Sequence, residues 1–150
     1  LRLNWESDYL LKLFEMFEVF HRQDFLARNK SIARILTKAT AALVEESHSH
    51  VQLVMLFGSV ARETWTPRSD IDLLVLASSS GNVITNAFSK AKIEAESVLE
   101  LSPVFTQIDD AVIGFRERKA FHQEVWGDRV VLYNEFLFWQ IVKRGMTPHG

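Results

Sequence analysis

Apolar residues recur with helical spacing through the first third of the chain. One stripe repeats at intervals of three and four positions: Leu10, Leu13, Phe14 and Phe17. It predicts an amphipathic helix within about residues 8–27, with Asp8 as its start signal. A second stripe, within residues 32–43, predicts another helix with Ser31 as candidate N-cap. Because the connection between the predicted helices is very short, the pattern favours a helical hairpin.

The pattern changes after position 50. Residues 51–57 and 71–77 are short and almost wholly apolar runs, and each predicts a buried strand. Later segments predict a helix at 83–101, a strand at 104–108, a helix at 109–126, a strand at 130–133 and a helix at 135–143. Helices followed by alternating strands and helices predict an α/β (α+β) domain with a small sheet.

Composition narrows the functional classes. The chain has 150 residues, 47% of them hydrophobic and 24% charged, which is typical of one packed domain. A net charge of −2 excludes a bulk basic surface for nucleic acid. The absence of cysteine excludes thiol catalysis, disulfides and cysteine-ligated zinc. Since no apolar run is long enough to span a bilayer and no leader pattern opens the chain, we expect no membrane contact and a cytoplasmic location.

The pair of residues that directly follows the first predicted strand is a candidate for anion binding. Gly58 lets the backbone approach a ligand closely, because glycine has no side chain. Ser59 comes next, at the expected start of a short helix, where free N–H groups and a hydroxyl favour phosphate. A glycine–serine pair by itself is common in loops without a ligand. Anion binding at these two residues therefore needs support from a second group of polar residues nearby.

Two aspartates open the second predicted strand. Asp70 and Asp72 lie at i and i+2, so their side chains share one face with α-carbons roughly 6.5–7 Å apart. Aspartate is disfavoured in strands, and unpaired carboxylates beside an apolar core are costly without a cation. Oxygen ligands of this kind suit Mg²⁺ shared with substrate phosphates. A solvated charge pair at a strand end is the alternative interpretation.

Together these residues resemble a known signature. The pattern consists of Gly58-Ser59, Ala61-Arg62 and Ser69-Asp70-Ile71-Asp72-Leu73. It is similar to the motif of the DNA polymerase β-like nucleotidyltransferase superfamily, and most similar to the minimal nucleotidyltransferases. The resemblance extends over residues 51–133 and implies the small mixed sheet of the nucleotidyltransferase fold with flanking helices, preceded by the N-terminal hairpin. We accordingly expect a helical segment at 1–47 and a nucleotidyltransferase domain at 48–150.

The resemblance also implies an activity. Such a domain moves a nucleoside monophosphate, most simply AMP from ATP, to a hydroxyl acceptor and releases pyrophosphate. It implies that Gly58 and Ser59 hold the phosphates, and that Arg62 and Ser69 belong to the nucleotide-binding residues. Asp70 and Asp72 would be the catalytic residues and the ligands of Mg²⁺ or Mn²⁺. For Arg62, a solvated surface position is the alternative.

The sequence departs from this family pattern at two places. Glu63 stands where the family usually has glycine, so the next turn is expected to differ. Active members carry a third carboxylate on the next strand, but residues 101–106 contain no acid. Asp109 and Asp110 are the nearest candidates, although capping the next helix explains them better. A catalytically weak or inactive module, acting as a regulatory or antitoxin-like binding protein, is therefore the alternative function.

The same resemblance indicates candidate partners. The helical first third is similar to the linker that joins such domains to an N-terminal winged helix in some relatives, so DNA would be contacted only through such a missing domain. The acceptor stays unidentified, and a partner protein is one candidate. Near the C-terminus, Phe136, Phe138 and Trp139 form an apolar segment. That segment could cover the sheet, bind a partner domain or form a homodimer contact.

Overall fold

A computed structural model of the protein describes residues 3–147. Its elements are α1 (Asp8–Arg28), α2 (Lys30–Glu46), β1 (Val51–Phe57), α3 (Gly58–Ala61), β2 (Ile71–Ala77), α4 (Asn82–Ala95), β3 (Leu101–Thr106), α5 (Ile108–Arg116), α6 (Ala120–Asp128), β4 (Val130–Tyr133) and α7 (Glu135–Met146). The predicted strands at 51–57, 71–77 and 130–133 are confirmed at both ends.

The four strands form one open mixed sheet in the order β3-β2-β1-β4. Strand β1 pairs antiparallel with both β2 and β4, whereas β2 pairs parallel with β3. Strands β1 and β2 lie in the middle and are almost entirely buried, which explains why they read as continuous apolar runs. The predicted α/β (α+β) class with a small mixed sheet is confirmed.

Helices cover both faces of the sheet. Leu73 and Val75 of β2 point into a core shared with α2 and α4. Leu74 and Leu76 alternate to the opposite face, where they pack in a core shared with α5, α6 and α7. The sheet is therefore the middle layer of three. A residue's position along β2 decides which helical layer its side chain meets.

Helix α1 covers the edge of strand β4 that does not pair with β1. Arg22 Nη1 donates to the carbonyl of Val131 at 2.9 Å, and a ring nitrogen of His21 lies 3.2 Å from the carbonyl of Arg129. An uncovered edge strand presents unpaired backbone groups that invite pairing with another chain. The side chains of α1 satisfy two of these groups, so the first helix is part of the packed domain.

A buried ion pair fixes α1 in this position. Glu18 is 3% exposed, and its Oε1 accepts from Arg129 Nη2 at 2.7 Å and from Arg129 Nε at 3.0 Å. The Arg129 guanidinium also lies 4.3 Å from the centroid of the Trp126 ring. A charge buried this deeply is tolerated because it is paired and hydrogen-bonded. The pair joins the first helix to the junction of α6 and β4.

Several sequence-based helix boundaries were wrong. Helix α2 begins after Asn29, whose side chain makes no cap hydrogen bond to α2, and Ser31 lies inside the helix and is not its N-cap. Helix α4 ends at Ala95, where Glu96 adopts a left-handed backbone, and does not continue to residue 101. The predicted helix at 109–126 is two helices, α5 and α6, because Arg118 between them has a φ of 51°.

The third strand begins three residues earlier and ends two residues earlier than the predicted strand at 104–108. It begins at Leu101 and ends at Thr106, and it includes Pro103, a residue that usually argues against a strand. Because β3 is an edge strand, one side of its backbone needs no partner, and proline is tolerated there. Glu100 supplies the carbonyl that accepts from the Ile71 N–H at 2.8 Å, so pairing with β2 begins at this point.

Within residues 3–147, none of the helices combines the length and the apolar character that crossing a bilayer requires. The division into a helical segment at 1–47 and a domain at 48–150 stays a prediction. Both N-terminal helices contribute side chains to the core on the α2 and α4 face of the sheet, Phe25 and Leu36 among them.

Candidate functional site

The site forms where β1 ends and β2 begins. Antiparallel pairing sets Phe57 opposite Asp72, so the turn after β1 passes directly over the Asp72 carboxylate. Gly58 makes this turn with a φ of 76°. A Cβ atom at position 58 would lie 2.2 Å from Asp72 Oδ2, which is far inside van der Waals contact. The group that the backbone at Gly58 approaches is Asp72, and the approach to a ligand predicted for this glycine stays a prediction.

The two predicted aspartates differ in their surroundings. Asp72 is half-buried on β2 and lies on the sheet face that carries α5, α6 and α7, whereas Asp70 is exposed just before the strand. Burial raises the pKa of the Asp72 carboxyl above its ordinary value of 3.8. The nearby carboxylates of Asp70 and Glu124 raise this pKa further, while Arg62 lowers it. The site is thus short of positive charge.

Arg62 and Gly58 are both held by an acid that the sequence analysis missed. Asp128, at the end of α6, is 13% exposed, and its Oδ2 accepts from Arg62 Nη1 at 2.5 Å and from the Gly58 N–H at 3.2 Å. Arg62 also lies 3.9 Å from Glu124 Oε1. Nothing near the motif points to residues seventy positions later. The available signal was an acid at a helix C-terminus, where the helix dipole disfavours negative charge.

The two predicted serines lie at opposite ends of the segment that joins β1 to β2, Ser59 in α3 and Ser69 in the loop before β2. Ser59 is half-buried beside Gly58, and its backbone carbonyl accepts from the Thr64 N–H at 2.9 Å. Ser69 closes the turn before Asp70, since its Oγ accepts from the Thr66 N–H at 2.8 Å. The Ser69 Oγ also lies 3.5 Å from Thr66 Oγ1, and either hydroxyl can be the donor in this contact. The structure therefore brings the predicted residues into one region, but it gives Ser69 a role in the loop as well.

Glu63, which stands where the family usually has glycine, adopts a backbone conformation that glycine accepts most easily. Its φ of 61° is in the left-handed region. Its carboxylate accepts from Arg28 Nε and Nη2, both at 3.2 Å, and from Asn29 Nδ2 at 2.8 Å. The hydrogen bond from Arg28, followed by that from Asn29, lowers the pKa of the exposed Glu63 carboxyl. The departure from the family pattern thus ties the site loop to the junction of α1 and α2.

Strand β3 places a serine where the third carboxylate was sought. In the parallel pairing of β2 and β3, Ser102 is the partner of Asp72, so the two side chains lie on the same face. Asp109 and Asp110 lie beyond the opposite end of β3, roughly 20 Å away along the strand, in the first turn of α5. Asp109 accepts there from Arg144 Nη2 at 3.1 Å. Neither residue can complete the site.

The acidic side chains near the turn form no closed metal cage. Among residues 3–147, no three His, Cys, Asp or Glu side chains are grouped so that they could hold a metal ion. Glu124 raises the pKa of Asp72 without forming a three-ligand set with the two aspartates. Two neighbouring carboxylates still fit a divalent cation that takes further ligands from substrate phosphates.

The raised pKa of Asp72 predicts a dependence of stability on pH. Because the folded state disfavours the ionised carboxyl, the stabilisation available at low pH is lost as the pH rises from 3.8 through the raised pKa. In chelator at neutral pH, Asp72→Asn should raise the melting temperature by a few degrees, and the gain should vanish below about pH 4. Thermal unfolding across this pH range measures the effect.

Asp109→Asn is the matched control for this measurement, since Asp109 is an exposed carboxylate at the other end of the sheet. It should show no comparable gain at neutral pH. A lower melting temperature for Asp72→Asn would mean that the Asp72 carboxylate stabilises the turn, contrary to this prediction.

The close contact at the turn predicts coupled mutations. Gly58→Ala should destabilise the fold by about 2 kcal/mol or more, because alanine disfavours a positive φ and its Cβ overlaps the Asp72 carboxylate. In an Asp72→Ala background the carboxylate is gone, so Gly58→Ala should reduce the free energy of unfolding by clearly less. Denaturant unfolding of the four proteins in this cycle measures the difference. Gly127→Ala on α6, where a Cβ meets nothing within 4 Å, should be tolerated.

Equal costs of Gly58→Ala in the two backgrounds would show that backbone conformation alone requires the glycine. The steric part of the interpretation would then be wrong.

Comparison with known proteins supports one family. The sequence model described as "Polymerase beta, Nucleotidyltransferase" matches residues 39–135, from within α2 to the first residue of α7. No curated protein and no solved structure gives a significant match. The matched segment is 97 of the 150 residues and contains the whole turn between β1 and β2 with both aspartates. The chain therefore belongs to the polymerase beta nucleotidyltransferase family.

Proposed function

We propose that this protein is a Mg²⁺-dependent nucleotidyltransferase that moves a nucleoside monophosphate, AMP from ATP, to a hydroxyl group of an acceptor. The observation that carries the proposal is the contact between Gly58 and Asp72. It brings a backbone turn suited to phosphate and a carboxylate suited to a cation within one small region. Family membership supports the reaction class.

The turn is the proposed phosphate site. Gly58 and Ser59 open α3; Gly58 would let the phosphates approach the backbone closely, and the Ser59 N–H and hydroxyl would donate to the β- and γ-phosphates. The Gly58 N–H is bonded to Asp128 at 3.2 Å, and Arg62 is held by the same carboxylate oxygen. Asp128 thereby fixes the guanidinium beside the turn. Arg62 can then donate charge-assisted hydrogen bonds to phosphate, with Ser69 at the other end of the loop.

Asp70 and Asp72 are the proposed ligands of Mg²⁺ or Mn²⁺. Their mutual repulsion, and the carboxylate of Glu124 nearby, leave the site in need of positive charge. A divalent cation bound there would neutralise charge on the phosphates as the leaving pyrophosphate separates. With two protein carboxylates available, cation binding and nucleotide binding are expected to depend on each other.

In the proposed reaction, the acceptor oxygen attacks the α-phosphorus and the bond to the β-phosphate oxygen breaks. Pyrophosphate leaves, and the hydroxyl proton must pass to a base. A carboxylate beside Asp72 could serve as that base at neutral pH, but the residue there is Ser102, whose hydroxyl cannot. We therefore expect transfer to be slow.

Ser102 also favours a second candidate function. A module that binds a nucleotide with a divalent cation but transfers nothing would need the turn and the two aspartates and no base on β3. Such a protein would act through regulated binding of a partner, in the manner of an antitoxin-like component. A nucleotide-transfer experiment separates the two candidates.

The acceptor, any contact with DNA and the cellular compartment also stay proposals. The acceptor is a protein, a nucleic-acid end or a small molecule with a hydroxyl group, and DNA would be reached through a domain joined to the helical segment at 1–47. The cytoplasm, which supplies nucleoside triphosphates, is the proposed compartment.

The first prediction for this function concerns binding. By calorimetry, ATP should bind at least about tenfold more tightly in Mg²⁺ than in chelator, because the two carboxylates repel the bare triphosphate. Asp70→Asn and Asp72→Asn should each remove most of this gain in affinity. Asp109→Asn should keep it, since that carboxylate pairs with Arg144 at the other end of the sheet.

Equal ATP affinity in chelator and in Mg²⁺ would contradict the assignment of the aspartates. So would an equal loss of affinity in Asp109→Asn, which would point to a nonspecific effect of charge.

A second prediction concerns transfer. Incubation with α-labelled ATP, Mg²⁺ and candidate acceptors should label an acceptor slowly, and Ser102→Asp should increase the rate by about tenfold or more. The reason is that residue 102 pairs with Asp72 in register and would add a carboxylate on the same face. Asparagine has nearly the same size as aspartate but no charge, so Ser102→Asn should not increase the transfer rate.

If nucleotide binds but neither the wild-type protein nor Ser102→Asp transfers label, the binding-module candidate replaces the enzyme. Rapid transfer by the wild-type protein with no effect of Ser102→Asp would show that another group serves as the base.

A further inference from the structure

Helix α1 is apolar on two opposite sides. Its inner side packs against the domain through Leu11, Phe14 and Phe25. Its outer side carries a row that we name the outer stripe: Tyr9, Leu13, Met16, Phe17 and Phe20. Each residue of the outer stripe is between 50% and 89% exposed. An apolar stripe on a helix normally faces a packing partner, so this side of α1 lacks a cover.

The uncovered surface is large for a chain of this size. Phe136 of α7 is 52% exposed, and Lys12 Nζ lies 5.7 Å from the centroid of its ring, so this phenylalanine extends the outer stripe. With roughly 200 Å² for each whole side chain, the exposed fractions correspond to on the order of 700 Å². The largest apolar patch on a typical monomer is about 300–600 Å². A stable dimer buries about 800 Å² on each partner.

The order of residues along the outer stripe identifies a partner that fits. Positions 9, 13, 16 and 20 are spaced by four, three and four residues, the spacing of a coiled-coil seam. This spacing is the same in both chain directions. Two antiparallel copies of α1 would therefore set Tyr9 against the partner's Phe20 and Leu13 against the partner's Met16.

The residues beside the stripe suit the same arrangement. A two-fold axis perpendicular to the helix pair sets each flank of the stripe against the same flank of the partner, so Leu10 lies near the partner's Phe17 and Lys12 near the partner's Val19. No two like charges therefore lie opposite each other directly beside the stripe. A contact in which each residue meets its counterpart through a two-fold axis is the usual form of a homodimer interface.

We propose that the outer stripe of α1 is a homodimer interface in which two copies of the chain pair their first helices antiparallel. The inner side of α1 is already occupied by β4 and α7, so dimerisation requires no rearrangement of the domain. This interface does not depend on the proposed transfer activity, because it involves none of the site residues.

Sedimentation equilibrium of the 150-residue protein tests the proposal. The wild-type chain of 17.3 kDa should form a dimer of twice that mass, 34.6 kDa, at micromolar concentration. Leu13→Glu and Phe20→Glu should sediment as monomers and keep the far-ultraviolet circular dichroism of the wild type, since both side chains are exposed in the single chain. Val98→Glu, at an apolar residue 95% exposed outside the stripe, should stay dimeric.

The absence of cysteine allows a clean test of helix direction. Oxidation of a mixture of Tyr9→Cys and Phe20→Cys chains should give the mixed disulfide. Neither variant alone should crosslink, because equivalent positions would lie about 16 Å apart along antiparallel helices.

A wild-type protein that stays monomeric up to its solubility limit would overturn the proposal and leave the outer stripe to a different partner. A dimer that survives Leu13→Glu and Phe20→Glu would place the interface on another surface. Self-crosslinking of Tyr9→Cys would show parallel helices and overturn the proposed arrangement.

Discussion

The carboxylate of Asp72 and the backbone at Gly58 compete for the same space, and the candidate site depends on how the chain resolves this competition. Antiparallel pairing of β1 with β2 makes the end of one strand the neighbour of the start of the other. The turn must then pass over the carboxylate at a φ of 76° without a Cβ atom, which only glycine can do without strain. Burial of Asp72 in this region, together with the nearby carboxylates of Asp70 and Glu124, raises the pKa of its carboxyl.

The loop that leaves this turn is anchored on two sides by residues distant in sequence. Asp128 holds Arg62 and the Gly58 N–H from α6, and Arg28 holds Glu63 from the end of α1. Each ion pair is partly or fully exposed at one partner, so its contribution to stability is modest. Its greater effect is to fix the loop's position, because two fixed ends limit the conformations of a short segment. The left-handed backbone at Glu63 is held in this way.

Helix α1 connects this anchoring to the rest of the domain. It covers the edge of β4, and the buried pair of Glu18 with Arg129 sets its position beside the end of α6. A helix that covers a sheet edge uses only one side of its circumference for that contact. The apolar residues on the other side are therefore unexplained by the fold of one chain, and a second copy gives them a partner of matching pattern and sufficient area.

The sequence by itself determined the central strands and the residues of the turn. Residues 51–57 and 71–77 read correctly because both faces of these strands are buried, which leaves an uninterrupted apolar run. Gly58, Asp70 and Asp72 could be found because their spacing is local, within one turn and one strand. Boundaries set by backbone conformation, such as the left-handed Arg118 between α5 and α6, gave no such local signal.

Only the tertiary structure decided which other residues join the site. The pairing of Ser102 with Asp72 depends on the register of β3, and the position of Asp109 at the far end results from the parallel direction of that strand. Asp128 reaches Gly58 because α6 lies over the same sheet face, across seventy residues of chain. Local patterns report the propensity of a segment, whereas these contacts depend on how distant segments pack against one another.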